Sequence, residues 1–548
     1  MRLVACAALV VGAACHRAAE PAPAPAAASA SALPAWTRGA TCYEVFVRSF
    51  SDSDGDGIGD LKGLTEKLDY INDGNAGTQR DLGARCIWLM PVAESPSYHG
   101  YDVSNYYRVE PDYGTSDDFK RLVVEAHRRG IRVLVDMVLN HASSQLPAFQ
   151  QALRDPASPY RGWFRWSATK PDGKGPWGQE VWHRSPVRDE YYYGVFWRGM
   201  PDLNYETPAV REEALKVARF WLDSMGVDGF RLDAVPYLVE EGGKVVGTPG
   251  THAVLREYGA YVRRTRPGAF TVGEVWDGIE RMLPYYPDQL DSYFAFDLSD
   301  ALIAAARTGS AKGLLDGYVR FQREIPPGRY SPFLRNHDQT RTMTALGGDA
   351  SRNRLAITLL LTLPGFPFVY YGEEIGMTGD KPDPGLRTPM QWSAAAPGAG
   401  FTRGTPWEPL SASFPAATVE AQDADTGSLL NLHRRLVHLR AADEALGSGD
   451  LVPLDAGNDA VVAYLRRAAN GRAVLVVVNL GTAPLSGIAL ASGAGTLRSG
   501  RYAPAGLLGG PSAAPLAVGA DGRITGYAPL PTLAPLTAYL FELSTGRR

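Results

Sequence analysis

The sequence has few cysteines, no excess of charge of either sign and no uninterrupted apolar run of membrane length. Only four cysteines occur in 548 residues, at positions 6, 15, 42 and 86. Two of them lie in the first fifteen residues. The two left in the body, Cys42 and Cys86, form neither a disulfide framework nor a metal-ligand spacing. They are expected as two buried thiols, with a bond between them as the alternative in an oxidising compartment. Lysine and arginine number 55 against 59 aspartates and glutamates, a net charge of −4, so no basic field is available to bind nucleic acid. One internal apolar run, 355–371, is broken by Pro364, Gly365 and Pro367. It is shorter than the roughly 20 residues a bilayer span needs, and a core helix followed by a buried strand accounts for it. The 59 glycines and 40 prolines are too few for a disordered or collagen-like chain but imply many loops. What the sequence has in quantity is aromatic residues: 11 Trp, 26 Tyr and 18 Phe, which suit a large core or the faces of sugar rings equally.

The first residues read as an export signal. Met1 and Arg2 precede an apolar run over 3–14, too short to span a bilayer. Gly12, Ala13 and Ala14 before Cys15 resemble a bacterial lipoprotein box. Residues 1–15 are therefore expected to be a signal, with a lipid anchor to a membrane through Cys15. Residues 16–35, nearly all Ala, Pro and Ser, are expected to be a semi-extended tether. The expected location is exported, periplasmic or at the cell surface.

From residue 41 onward, short apolar strands alternate with amphipathic helices. Strands are expected at 42–49, 86–91, 132–138, 229–233, 270–274, 292–296, 333–336 and 367–371. Most lack polar alternation, as strands buried on both faces do. A helix is expected over 115–129 with Ser116 as its N-cap, and another over 210–225. Eight strands with intervening helices predict an α/β fold, a (β/α)8 TIM barrel. The barrel occupies 36–139 and 207–444, interrupted after strand three by a small inserted domain at 140–206. After a helix at 428–441, strand-like runs at 461–466, 473–479 and 538–543 predict a C-terminal antiparallel β-sandwich from 445 to 548.

Four segments sit at or just past the C-terminal ends of these strands, the face on which barrels build active sites. They are Asp136-Met-Val-Leu-Asn-His141, Gly229-Phe-Arg-Leu-Asp-Ala-Val235, Gly273-Glu-Val-Trp276 and Asn336-His-Asp-Gln339. They supply three acids: Asp233, Glu274 and Asp338. A pair of carboxylates, one nucleophile and one proton donor, is what glycosidic cleavage with retention needs, with the two groups about 5–5.5 Å apart. Their environments must hold one ionised and the other protonated at the same pH. Arg231, two residues before Asp233, points to the same face of its strand and would keep Asp233 ionised.

Together these segments, in this order, resemble the sequence regions of glycoside hydrolase family 13, the α-amylase family, from about Tyr43 to the C-terminus. The resemblance implies that Asp233 is the nucleophile, Glu274 the general acid/base and Asp338 the acid that binds sugar hydroxyls in the transition state. It implies sugar contacts by Arg231, His141 and His337, and a supporting role for Asp136. In Tyr98-His-Gly-Tyr-Asp102, Tyr101 resembles the platform beneath the reacting sugar, with His99 and Asp102 as further contacts. The segment Met200-Pro-Asp-Leu-Asn204 is similar to that of the intermediate group of bacterial α-amylases, many of them lipoproteins. Ala234 is similar to enzymes of α-1,4 preference, whereas Val235-Pro236-Tyr237 resembles the trehalose synthases. Arg387-Thr-Pro-Met-Gln-Trp392 is shared with α-glucosidases and transferases.

Asp52, Asp54 and Asp56 alternate before Gly57, the Ile58 carbonyl and Asp60, matching ligand positions 1, 3, 5, 7 and 9 of a Ca²⁺ loop. The bidentate Glu of an EF-hand is missing. A loop of this kind follows the first strand in the family and binds Ca²⁺, here expected as a structural ion.

The sequence thus predicts an exported, monomeric α-amylase-like enzyme that hydrolyses α-1,4-glucosidic bonds of an α-glucan or maltooligosaccharide substrate. Two alternatives stand beside it. One is an α-glucosidase or glucosyltransferase acting on maltose-sized sugars, like trehalose synthase. The other is a non-catalytic sugar-binding barrel.

Overall fold

In a computed structural model, residues 32–395 and 398–545 are described. The export signal, Cys15 and the tether as far as residue 31 lie outside the described residues. No helix among the described residues is long and apolar enough to cross a membrane.

Eight parallel strands form one sheet: β1 (Cys42–Val45), β2 (Cys86–Leu89), β3 (Arg132–Met137), β4 (Gly229–Leu232), β5 (Phe270–Gly273), β6 (Ser292–Phe294), β7 (Tyr330–Ser331) and β8 (Phe368–Tyr370). Their spatial order is β7-β6-β5-β4-β3-β2-β1-β8. The ends of the sheet meet through two backbone bonds, from Phe366 N to Tyr330 O at 2.9 Å and from Phe368 N to Pro332 O at 3.0 Å. The sheet therefore curls into the expected barrel. Strand seven lies before the expected 333–336, because Pro332 has no N–H to extend a ladder. The residues after it become the loop that carries His337.

The strands are hydrophobic throughout because both of their faces are covered. One buried cluster, with Trp88, Phe270, Phe294, Phe366 and Phe368, fills the barrel, and Trp36 packs against it. The Trp36 indole donates to Gly268 O at 3.1 Å. Gly229 opens β4 at φ +149°, and a Cβ there would stand 1.8 Å from Phe270 O, so only glycine allows β4 and β5 to pair at this point. Cys42 and Cys86 face each other across β1 and β2 and are joined as a disulfide, correcting the expectation of two free thiols.

Helices cover the outside. Helix Ser116–Arg128 buries Phe119, Leu122, Val123 and Ala126. Its N-cap is Thr115 rather than Ser116, in a reciprocal box with Asp118. The expected helix over 210–225 is Pro208–Arg219, continued by a wider helical turn at Phe220–Ser224. The apolar run at 355–371 divides as expected into helix Ala350–Thr362 and β8.

Between β3 and β4 the chain forms helix Pro147–Arg154 and a three-stranded antiparallel sheet of Trp166–Ser167, Tyr191–Tyr193 and Trp182–Arg184. After the barrel come β9 (Asp450–Pro453), β10 (Val461–Arg467), β11 (Ala473–Asn479), β12 (Gly500–Gly506), β13 (Leu516–Val518) and β14 (Thr537–Thr545), in the order β9-β10-β11-β14-β12-β13. The second layer is only a two-stranded ribbon, Leu485–Ser486 with Thr532–Leu533, so the expected sandwich is lopsided. One buried arginine ties this domain to the barrel: Arg466 of β10 donates to Thr362 O at 2.5 Å, beside Arg440 of the barrel's last helix, which donates to Leu361 O and Leu363 O at 3.0 and 2.8 Å. Both thus neutralise the carbonyl end of helix Ala350–Thr362.

Candidate active site

The C-terminal strand ends open into a cavity of about 550 Å³. It is lined by Asp233, Glu274 and Asp338, with Tyr101, His99 and His141 beside them. Each acid follows directly on a strand or its loop: Asp233 follows β4, Glu274 follows β5, and Asp338 is in the loop after β7. Parallel strands hydrogen-bonded side by side deliver their next residues to the same rim. Segments separated by tens of residues therefore meet there.

Arg231, within β4 and 1% exposed, organises the floor. Its Nη1 donates to Asp233 Oδ1 at 2.8 Å and to both oxygens of Asp136 at 2.9 and 3.0 Å, and its Nη2 contacts Glu274 Oε2 at 2.9 Å. The guanidinium lies over the Trp88 ring at 5.1 Å. Immediately after Asp233, Ala234 adopts a left-handed conformation, φ +47°, and its amide donates to Glu274 Oε2 at 3.1 Å. A non-glycine residue there is strained, and the turn aims a backbone donor at the second acid.

Burial raises both Asp233 and Glu274 above the ordinary carboxylate range, and Arg231 pulls both back. Burial pushes Asp136 up to about 7 against the same Arg231. Burial also pushes on Asp338, but His337 and Arg387 outweigh it and hold that carboxyl well below its usual range. The site therefore contains one acid held ionised beside two whose carboxyls burial raises against Arg231.

The remaining expected contacts are divided between the cleft and its floor. Tyr101 lies stacked on His337, centroids 5.6 Å apart and planes 12° apart, with its hydroxyl 3.0 Å from Asp136 Oδ2. His141 contacts Tyr101 O at 3.1 Å, and burial takes it down to about 4, so it is neutral at neutral pH. His99 Nδ1 is engaged by the Tyr101 amide at 3.1 Å. Arg231 and His337 do not line the cavity but stand behind the acids. Asp102, expected as a further sugar contact, does not line it either: its Oδ1 accepts from the Ser95 and Ser97 hydroxyls.

Several lining residues were not singled out from the sequence as site residues. Arg387 Nη2 donates to Asp338 Oδ1 at 2.8 Å and to Asp383 Oδ2 at 3.3 Å. Its segment was noted, but not its contact with an acid 49 residues away. Trp177, Phe196, Trp197 and Met200 come from the insertion, and Pro236, Tyr237 and Trp276 from the loops after β4 and β5. Trp177, Trp197 and Trp276 are 61%, 49% and 55% exposed. Large aromatics left open to solvent around a cleft suit the C–H faces of sugars. The density of Trp and Tyr in 140–206 is the signal that could have found Trp177 and Trp197.

The acidic loop after β1 brings Asp52, Asp54 and Asp60 together, with carboxylate oxygens all within 4.8 Å of one another. No lysine or arginine is ion-paired with these three among the described residues. Convergent hard oxygens without a cationic side chain fit a Ca²⁺ ion. Asp56 stands on the same loop outside that group, its Oδ1 accepting from the Ile58 amide at 2.7 Å, as Asp54 Oδ1 accepts from the Asp56 amide at 3.1 Å. Asp60 also caps helix Leu61–Glu66 through Gly63 N at 2.7 Å.

The family profile for "Alpha amylase, catalytic domain" matches residues 44–449. Alpha-amylase 3 of Dictyoglomus thermophilum is 38% identical over 452 residues, spanning 81% of this chain and 85% of that protein. The trehalose synthase/amylase TreS of Mycolicibacterium smegmatis is 36% identical over 514 residues, 82% of this chain and 85% of that one. The crystal structure of an α-amylase from H. orenii superposes with a TM-score of 0.79 at 40% identity, covering 92% of this chain and 99% of that one. With the barrel, the rim acids and a profile that runs from β1 to the start of the C-terminal sheet, the chain belongs to glycoside hydrolase family 13, the α-amylase family.

Proposed function

We propose that the protein is a retaining hydrolase of α-1,4-glucosidic bonds in starch, glycogen or maltooligosaccharides. The observation that carries this reading is the bridge made by Arg231 between Asp233 and Glu274 at the floor of an open cavity. Burial raises both carboxyls while the one guanidinium, shared with Asp136 as well, draws both back, so a proton is held more readily here than on a free carboxylate. His337 draws Asp233 down beside Arg231, whereas Glu274 is pushed up by Asp233 and Asp338 together. That difference favours Asp233 as the ionised nucleophile and Glu274 as the acid.

In the first step, Glu274 protonates the glycosidic oxygen while Asp233 attacks the anomeric carbon. The bond to the leaving sugar breaks and an ester to Asp233 forms. In the second step, water attacks that carbon, its proton passing to Glu274, and the sugar leaves with its configuration retained. Asp338, held ionised, accepts hydrogen bonds from the ring hydroxyls, and Tyr101 carries the ring. All three acids face the cavity, which argues against a non-catalytic sugar-binding barrel.

A second reading, glucosyl transfer with maltose-sized sugars, rests on one feature. Trp177, Phe196 and Tyr237 form an aromatic wall beside Pro236, with Trp177 5.6 Å from Phe196 and 5.7 Å from Tyr237. Such a wall would hold an acceptor sugar and exclude water. Product analysis on starch, maltotriose and maltose separates the two. Endo-hydrolysis shortens starch rapidly with little early glucose. Trehalose or longer oligomers made from maltose would replace that reading with transfer.

Asp52, Asp54 and Asp60 would hold a structural Ca²⁺, apart from the reacting carbon. The disulfide between Cys42 and Cys86 supports an oxidising, exported location. It is compatible with a lipid anchor at Cys15 and with the intermediate group of bacterial lipoprotein α-amylases. We take the working form to be a monomer.

A further inference from the structure

Glu44 interrupts the apolar strand β1 with a carboxylate that is 2% exposed and does not reach the cavity. A buried acid of this kind needs a partner. Its Oε1 lies 2.5 Å from Nδ1 of His337. The other ring nitrogen, Nε2, is 2.7 Å from the Tyr101 hydroxyl and 3.2 Å from Asp338 Oδ2. The Tyr101 hydroxyl donates its proton to Asp136, so its oxygen is left to accept from Nε2. A neutral imidazole has a single N–H. Here acceptors face both nitrogens, a carboxylate on each side, and only the doubly protonated ring satisfies both.

We propose that Glu44 is a positioning residue for the glycosidic reaction, holding His337 as an imidazolium so that Nε2 always donates toward Tyr101 and Asp338. This rests on the reading of the cleft as a glycosidase site. Glu44 touches no substrate. It acts through His337, which in turn fixes the two groups that do line the cavity. A carboxylate behind a histidine sets the ring's protonation and direction in the same way at metal sites and in hydrolytic triads.

The groups facing the ring come from several elements. Glu44 is on β1 and Trp88 on β2, the latter 5.6 Å away edge-on. Asp338 is on the ring's own loop, Asp136 on β3 and Asp233 after β4, all anions that favour the cation. Arg231 and Arg387 oppose it, and Arg387 Nε also donates to His337 O at 3.0 Å. Tyr370 of β8 pairs beside Glu44 and stays neutral. Burial disfavours the charged ring, but Asp338 and Glu44 outweigh it and raise His337 to about 9.

The test is an NMR titration of the histidine rings in the intact protein. The protein has nine histidines, and His337 is assigned by its absence from the spectrum of His337→Gln. In the wild type, the His337 ring nitrogens should both be protonated at pH 7.5. In Glu44→Gln, which keeps size and polarity but loses the charge, the midpoint should fall by roughly 1–3 pH units. Turnover of maltotriose by Glu44→Gln should be about tenfold lower at pH 8, where its ring is neutral, yet similar to wild type at pH 6. A merely structural loss would lower both equally. A neutral His337 in the wild type at pH 7.5, or an unchanged midpoint in Glu44→Gln, overturns the proposal. The wild-type spectrum decides the first point even if the variant does not fold. If the wild type turns over no α-glucoside, the proposed function fails while the titration still decides the role of Glu44.

Discussion

Replacing Arg231 by glutamine removes the cation that Asp136, Asp233 and Glu274 share. The four side chains are 1%, 0%, 11% and 10% exposed, so water cannot take over from the guanidinium. Removing one partner of a buried pair costs about 3–5 kcal/mol when the other stays charged. The carboxyls have a cheaper course, which is to take up protons. Each unit of upward shift amounts to about 1.4 kcal/mol, and loss of an adjacent cation moves a carboxyl up by roughly 1–3 units. Two consequences follow. The acid limb of kcat/KM, set by ionisation of Asp233, should move upward by roughly 1–3 pH units, with little turnover left at pH 6. Stability should also acquire a pH slope. Between the unfolded carboxyl value near 4 and the raised folded value, the folded variant binds more protons than the unfolded chain, so its stability falls as pH rises. The gap in Tm between wild type and Arg231→Gln should therefore widen from pH 5 to pH 7. The assays are a pH–rate profile on maltotriose and thermal melts at the two pH values. An acid limb that stays in place, with a Tm gap equal at pH 5 and pH 7, would refute the assignment of Arg231 as the cation that keeps Asp233 ionised.

Asp233→Asn should abolish starch hydrolysis and leave Tm within a few degrees of wild type; near-normal hydrolysis would remove Asp233 from the nucleophile's role. Glu274→Gln should lose about 10²–10⁴-fold on maltotriose, but far less on α-glucosyl fluoride, whose leaving group needs no proton. Equal losses on both substrates would contradict general-acid catalysis by Glu274. Chelation should lower Tm, and Ca²⁺ should restore it; Asp54→Asn should blunt that response, and an unchanged response would remove Asp54 from the ligand set. For the disulfide, closing a 44-residue separation stabilises the fold by about 4 kcal/mol in the chain-entropy account. Cys86→Ser should therefore melt several degrees earlier, and no change in Tm would mean that the folded state gains little from the bond.

The barrel was legible because its strands are buried on both faces, and a run such as Val133 to Val135 has no other stable place in a soluble chain. Strand seven was misplaced because Phe333 and Leu334 are as buried as strand residues, and burial was the only signal available. The ladder is decided instead by a missing N–H at Pro332. Asp233 and Glu274 were legible for a local reason: each directly follows an apolar strand, and the barrel converts that position along the chain into a position on the rim, while Asp338 reaches the same rim from the loop after β7. What escaped was everything set by contacts across the barrel. Asp102 neighbours Tyr101 in the sequence, but it stands off the cavity, where two serine hydroxyls, five and seven residues away, take up its Oδ1. Glu44 carried a signal in plain view, an acid within an apolar strand, but its partner is 293 residues away. Sequence spacing locates chemistry where one backbone element fixes both position and direction. Where the direction of a side chain is settled by a distant hydrogen-bond partner, the fold must be known first. In this barrel that boundary runs between the acids at the cleft and the Glu44–His337 pair that supports them from below.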